Sequence, residues 1–336
     1  MVHRPIVVSS AAPDVLNSNA YLNYYAAAGF RAADPSRHVL VEAFERLEET
    51  IRLEQPELVF LMASCLPAEA HYGRLRHACD KTGSRLAFWL LDDPYEFDAN
   101  IKASAVADAI FVSDLWSSWH YIAPCPVVHL PMAASPEAHF RPVTRRGGPA
   151  VFFCGVSFDN RTRLLRDLKP LLETRHTVVL GGGWDTGMLP FARNLRVGNE
   201  TLPLYYNASD LVLNVGRRLN LANRNVGLAP STPGPRTFEA AMGGAAQAFF
   251  VEGLEIEDYY EPGKEVLLFD TVGDFAAILE RIADEPDFSL SVGRAAQART
   301  LAEHTYAHRA ATVLDVLSLN GEASRPNVGD AVKALS

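Results

Sequence analysis

Short runs of consecutive apolar residues alternate along this chain with longer stretches in which apolar positions recur every three or four residues. The short runs Ile6–Ser10, Leu58–Ala63, Arg85–Leu91, Ala109–Ser113 and Val127–Leu130 predict strands buried on both faces. The longer stretches predict helices over Ala20–Phe30, ending at Gly29, over Arg37–Glu54 and over Ala68–Thr82. Such alternation predicts a parallel sheet with helices on both sides, which binds ligands at the carboxyl ends of its strands. Ser9-Ser10, Ser64-Cys65, Asp92-Asp93-Pro94 and Ser113-Asp114 stand at those ends. Between Pro131 and Pro149 the composition turns to Pro, Ala, Ser, Arg and Gly, as in an interdomain linker.

A second alternating series follows. It predicts strands over Val151–Cys154, His176–Leu180, Leu195–Val197, Leu211–Val215, Ala245–Val251 and Val266–Phe269, with helices over Arg161–Leu172 and Leu202–Asn207. In Pro233–Gly244, prolines and a glycine stop a loop, a helix starts near Arg236, and Gly243-Gly244 ends it where a buried strand begins. Arg236 and Glu239 lie three apart on its first turn and share one face. The chain closes with helices over Asp274–Ala283, Phe288–Leu301 and His304–Leu317, then a polar tail, Asn320–Ser336, expected to be poorly ordered.

Composition narrows the function. With 336 residues and 48% hydrophobic content, the chain can bury two cores. A formal net charge of -9 argues against a general nucleic-acid or anionic-membrane binder. Cys65, Cys79, Cys125 and Cys154 form no CxxC pair and sit mostly in or beside apolar runs, as reduced thiols do. The beginning of the sequence shows no signal-peptide apolar region, and no apolar run reaches the roughly 20 residues that span a bilayer, so a cytoplasmic protein is expected.

The candidate chemistry gathers at strand ends. Gly155, Gly181–Gly183 and Gly198 follow predicted strands, where glycine allows a tight turn and close approach of a ligand. None belongs to a GxGxxG fingerprint, which disfavours a dinucleotide oxidoreductase, and GxSxG and Walker A motifs are missing as well. Asn160-Arg161 opens a helix, where N–H groups and a guanidinium suit a diphosphate as well as plain solvent. The loop Arg217–Asn225 carries three arginines, Arg224 among them, and is long enough to act as a lid. Asp92 and Asp93 point to opposite sides at a strand end, so one could face the crevice and take a proton from a hydroxyl. Asp-Pro is equally good turn chemistry. His304 and His308 stand at i and i+4, but without HExxH or an obvious third ligand they read as packing groups.

The ordered succession Trp89–Pro94, Phe111–Asp114, His129–Pro131, Phe153–Gly155, Asn160-Arg161, Tyr206-Asn207, Leu213-Asn214, Arg236–Ala240 with Gly243, Tyr260–Glu265, and His304–Tyr306 with His308-Arg309 resembles the glycosyltransferases related to the spore maturation protein CgeB. The resemblance covers nearly the whole chain. It implies an α/β GT-B fold: a Rossmann-like acceptor-side domain over 1–143 and a nucleotide-sugar domain over 144–303. A helix over 304–319 would cross back, and a flexible tail over 320–336 would follow. It implies that Glu239 accepts hydrogen bonds from the donor ribose, that Gly155, Arg161 and Arg236 surround the diphosphate, and that Gly198 and Asn199 lie near the nucleobase. With Asn160, Gly182, Arg224, Thr237 and Phe238 these complete the expected donor site. No metal or other cofactor is implied, because helix N-termini and basic side chains neutralise the departing diphosphate.

Many retaining GT-B enzymes carry an earlier Glu where this chain has Ser231-Thr232-Pro233. That departure directs attention to Asp92 or Asp93 as an inverting base. The expected activity is transfer from an NDP-sugar, UDP-sugars first, to an unidentified acceptor. Nucleotide-sugar epimerisation and a non-catalytic nucleotide-sugar sensor are the alternatives the same fold allows.

Overall fold

The computed structural model describes residues 3–10, 20–63, 69–144, 147–285 and 287–319. The Ser64-Cys65 strand end and the tail over 320–336 lie outside the described residues. Strands β1 (Ile6–Ser10), β2 (Val39–Val41), β3 (Leu58–Ala63), β4 (Arg85–Leu90), β5 (Ala109–Val112) and β6 (Val127–His129) form one six-stranded sheet in the order β2-β1-β3-β4-β5-β6. Its pairings are parallel. Helices α1 (Ala20–Ala33), α2 (Leu47–Glu54), α3 (Glu69–Thr82), α4 (Phe97–Asn100), α5 (Leu115–Ser118) and α6 (Pro136–His139) accompany it.

The second sheet has the order β12-β11-β10-β7-β8-β9 and is also parallel. Its strands are β7 (Val151–Cys154), β8 (Thr177–Leu180), β9 (Ala192–Arg193), β10 (Leu211–Asn214), β11 (Gln247–Phe250) and β12 (Leu267–Phe269). Helices α7 (Asp159–Asp167), α8 (Lys169–Leu172), α9 (Leu202–Ala208), α10 (Pro235–Met242), α11 (Val272–Asp284), α12 (Phe288–Glu303) and α13 (Tyr306–Val316) complete the chain. Among the described residues, no helix is long and apolar enough to cross a membrane.

Alternation along each first-sheet strand sends Val7, Leu61 and Phe88 to one face, beneath Ile51 and Tyr72 of α2 and α3. Ile6, Phe60 and Trp89 go to the other, against Phe30 of α1 and Tyr306 and Val313 of α13. This second core continues without a break to Phe238 and Met242 of α10, so apolar burial ties the two sheets together.

Three local differences from the sequence pattern have physical causes. The expected helix over Arg37–Glu54 begins only at Leu47, because Val39–Val41 pairs with the open edge of β1, Ile6 opposite Val39. The edge strand expected at Leu195–Val197 is Ala192–Arg193, in register with Val179 and Leu180. Helix α1 runs through Gly29 to Ala33. At Gly29 a Cβ would sit 2.4 Å from the Tyr306 carbonyl oxygen, so that glycine serves the close approach of α13 and not a helix end. The Pro131–Pro149 stretch contains α6 and a bridge between Ala134 and Thr305. Arg309 pins it further, donating to the carbonyls of Pro131 (2.8 Å), Met132 (3.0 Å) and Glu303 (3.1 Å).

Candidate functional site

The carboxyl ends of the two sheets meet across a cleft. On the second-sheet side, α10 opens with Pro at its first position after Gly234, a start that leaves Arg236 and Glu239 on the inner turn. Arg236 Nη1 contacts Glu239 Oε2 at 2.5 Å, and the Glu239 side chain is 4% exposed. Burial opposes the charge of Arg236, but Glu239 and Tyr206 outweigh it and hold the guanidinium well above its ordinary range. Arg236 engages only one carboxylate oxygen of Glu239.

Arg161 enters from α7. Its guanidinium donates to the carbonyls of Val215 (3.0 Å), Gly216 (3.0 Å) and Val156 (3.2 Å), and lies over the rings of Phe153 and Phe158. Burial, then repulsion from Arg217, with a further contribution from Arg236, pushes it down to about 10. Arg217, from the loop after β10, reaches across to pair with Asp92 at the end of β4 and lies 4.4 Å from the Tyr95 ring centre. Three guanidinium groups thus converge in one cleft of an acidic chain.

The glycines divide by geometry. Gly181 (φ +142°) and Gly183 (φ +81°) adopt backbone that disfavours side chains, and a Cβ at Gly181 would lie 1.9 Å from the Gly155 carbonyl oxygen. Gly182 has open space where a Cβ would be. At Gly155 a Cβ would press on Arg161 Nη1 at 2.8 Å, so this glycine makes room for the guanidinium. Gly198 faces the flexible Glu200 side chain.

The other expected site residues are placed as follows. Asn160 donates to Glu252 Oε2 (2.9 Å) and the Gly216 carbonyl (3.1 Å) and accepts from the Arg218 amide (3.2 Å), so it frames the loop holding Arg217. Thr237 Oγ1 accepts from Asn214 Nδ2 at 2.9 Å, and Phe238 is fully buried beside Tyr259, Tyr260 and His304. Both side chains thus fix α10 from behind. Arg224 has an exposed side chain, while its amide and that of Asn225 donate to Asp98 Oδ2 at 2.6 and 3.0 Å. The Arg217–Asn225 loop is therefore docked on the first domain, and Arg217 is the arginine it turns inward.

The Tyr25 hydroxyl, from α1 of the other domain, is raised above its ordinary range by burial, with Asn199 close enough to act against that rise and Glu239 and Arg236 near enough for their charges to be felt. His139 lies edge-on to Tyr25 at 5.1 Å. Its Nδ1 accepts from the Ser135 amide at 3.0 Å, while its buried Nε2 has no hydrogen-bond partner among the described residues. Tyr25 and His139 escape sequence reasoning because each acts on an element distant in sequence, and within the Arg217–Asn225 loop the sequence singles out Arg224 where the structure turns Arg217 inward. His304 and His308 are taken up locally: His304 Nε2 faces the Tyr259 carbonyl at 3.2 Å, and His308 closes the capping box of α13 with Thr305.

Asp114, at the end of β5, clamps the loop before α10. Its Oδ1 accepts from the amides of Ser231 (2.6 Å) and Thr232 (3.0 Å) and from Ser231 Oγ (3.0 Å), while Oδ2 caps α5 through the Ser117 amide (2.9 Å). His129 Nε2 meets Thr232 Oγ1 at 3.2 Å, and burial pushes this imidazole down to about 4. Asp114→Ala orphans these donors, and we expect it to lower the unfolding free energy by roughly 2–3 kcal/mol, read by urea denaturation. A change below about 0.5 kcal/mol would contradict the clamp.

Asp93 turns into the first domain, 4% exposed, accepting from Tyr121 Oη (2.5 Å) and Asn100 Nδ2 (2.6 Å). Burial, reinforced by Asp114 and Glu96, raises its carboxyl to about 7 against the lowering effect of those two donors. A folded value above the unfolded one means that this group's stabilisation is present below the ordinary value of 3.8 and is lost as pH rises through about 7. Asp93→Asn should therefore gain a few kcal/mol relative to the native chain between pH 5 and pH 8, seen as diverging melting temperatures. A pH-independent difference would contradict the burial of that charge.

Residues 161–315 match a family described as glycosyl transferase-like. No curated protein matches the sequence. The structure is similar to that of Anabaena HepE in complex with UDP, with 12% identity and a TM-score of 0.61, covering 94% of this chain and 100% of that one. It is also similar to sucrose-phosphate synthase from Thermosynechococcus elongatus, with 11% identity and a TM-score of 0.60, covering 94% and 99%. A Listeria monocytogenes protein described as a UDP-N-acetylglucosamine 2-epimerase aligns with 10% identity and a TM-score of 0.58, covering 97% and 100%. With two parallel six-stranded sheets facing across a cleft, these likenesses give the chain the GT-B fold.

Proposed function

We propose that the protein transfers a sugar from a nucleoside diphosphate sugar, a UDP-sugar first among them, to a hydroxyl-bearing acceptor. The observation that carries this is the convergence of Arg161, Arg217 and Arg236 in one cleft: Arg217 and Arg236 have carboxylate partners, while Arg161 is held by carbonyl oxygens, which leaves positive charge suited to an anion. A diphosphate supplies that anion, and the adjoining buried carboxylate suits a ribose diol. The match of residues 161–315 to glycosyl transferase-like sequences supports the same reading. The narrower likeness to CgeB-related enzymes rests on the order of the sequence motifs. Charge neutralisation falls to the guanidinium groups and the N-terminus of α7, and no metal is invoked.

In this reading Gly198, Asn199 and Tyr25 frame the nucleobase end, with His139 behind them. The bond from the anomeric carbon to the diphosphate oxygen breaks, and its electron pair leaves on the nucleoside diphosphate. The acceptor oxygen forms the new bond, and its proton passes to Asp92. Diphosphate binding competes with Asp92 for Arg217. Asp93, enclosed by Tyr121 and Asn100, holds the strand end behind it.

Incubation with a panel of NDP-sugars tests the reaction class. Slow release of UDP and free sugar is the expected result. A rearranged NDP-sugar would instead make the protein an epimerase, and tight binding without turnover would make it a sensor.

A further inference from the structure

A cavity of about 540 Å³ opens between the domains, with Arg217 of the guanidinium cluster in its wall. Tyr95 and Trp116 line it from the first domain, and Arg217–Asn220, Gly227–Pro230 and Glu252–Leu254 from the second. Its size suits a small molecule. Its wall is already assembled. The amides of Leu221 and Ala222 donate to the Tyr95 carbonyl at 3.1 and 2.9 Å, and the Asp98 amide donates back to Ala222 at 2.8 Å.

Most polar groups on this wall are engaged within the protein, the exposed end of Arg218 excepted. Arg217 pairs with Asp92 and lies over the Tyr95 ring. Arg218 Nε holds Glu252 Oε1 at 2.7 Å, and Glu252 Oε2 takes Asn160. Asn220 binds the main chain of Asn223 in both directions at 3.0 and 3.1 Å, and Trp116 Nε1 donates to Glu255 Oε1 at 2.8 Å. What the wall offers a ligand is Leu219, Leu228, Ala229, Pro230, Leu254 and aromatic surface. A glycan would give up its water hydrogen bonds here and find few replacements, whereas an apolar body gains by leaving water.

We propose that this cavity holds the acceptor, and that the acceptor is a small molecule with an apolar, ring-containing body and a hydroxyl. This rests on the transferase reading above. Arg217 is a wall of the cavity and pairs with Asp92, so the base of the transferase reading lies one side chain away from the space. The engaged polar groups set the substrate class: with few donors left apart from the exposed end of Arg218, they favour an apolar body over a polyhydroxyl one.

The test is calorimetric titration of the full chain with 2-naphthol, 4-methylumbelliferone, maltose and, separately, UDP. Both phenols should bind at one site and maltose should not. Leu219→Asp and Trp116→Ala should each weaken phenol binding at least tenfold while UDP binding stays within twofold. Glu239→Ala should weaken UDP binding at least a hundredfold and spare the phenols. Failure of both phenols to bind, binding unaffected by both wall substitutions, or preferential binding of maltose would overturn the proposal. Wall-dependent phenol binding in a chain that never binds UDP would retain the apolar site and remove the donor reading instead.

Discussion

Glu239→Ala should weaken UDP binding by about 3–5 kcal/mol, some two to four orders of magnitude in the dissociation constant. Each hydrogen bond from a ribose hydroxyl to a charged, buried carboxylate contributes roughly 1.5–3 kcal/mol, and the 4% exposure of the side chain leaves little water to replace it. The substitution also frees Arg236 from its partner, so a folding control is needed. Ligand dissection separates the two effects. The loss should be as large for uridine as for UDP, because the ribose is common to both, whereas Arg161→Ala should weaken UDP and leave uridine unchanged. A Glu239→Ala protein that folds normally and binds UDP within threefold of the native chain would remove the ribose assignment.

Asp92→Asn should reduce transfer by 10²- to 10⁴-fold, the usual range for a general base. The side chain stays nearly the same size, and what disappears is the basic oxygen and the pairing with Arg217. Donor hydrolysis gives the control, since release of Arg217 alone would alter donor affinity and not the dependence on acceptor. A base therefore shows a collapse of transfer at saturating donor. Transfer within threefold of native at saturating donor would place the base elsewhere.

Much of the architecture could be read from the apolar runs, because a strand covered on both faces must be continuously hydrophobic, as Phe60–Met62 and Phe88–Leu90 are. The entrance to α10 was equally readable: proline, glycine and a three-residue spacing act within a single turn. Features decided by distant partners were not. Val39–Val41 is a strand only because β1 offers an unpaired edge, and Gly29 is a contact point only because Tyr306 crosses it some 280 residues later.

The same limit explains the site. Arg217 and Arg224 look alike in a basic loop, and their difference arises from Asp92, Tyr95 and Asp98 on another domain. Asp114 reads only as a strand end, but one of its oxygens caps α5 and the other holds Ser231 and Thr232, 117 and 118 residues away. That contact gives a structural role to the stretch where many retaining enzymes carry a glutamate. Gly182 was indistinguishable from its neighbours until φ assigned the unusual backbone to Gly181 and Gly183.

In the proposed reading one cleft holds the donor, with its ribose on Glu239 and its diphosphate among three arginines. A crystal structure of the full chain with UDP tests it most directly. It should show the ribose hydroxyls within hydrogen-bond distance of the Glu239 carboxylate and the phosphates between Arg161, Arg217 and Arg236. UDP bound elsewhere, or bound in this cleft with the ribose turned away from Glu239, would contradict it.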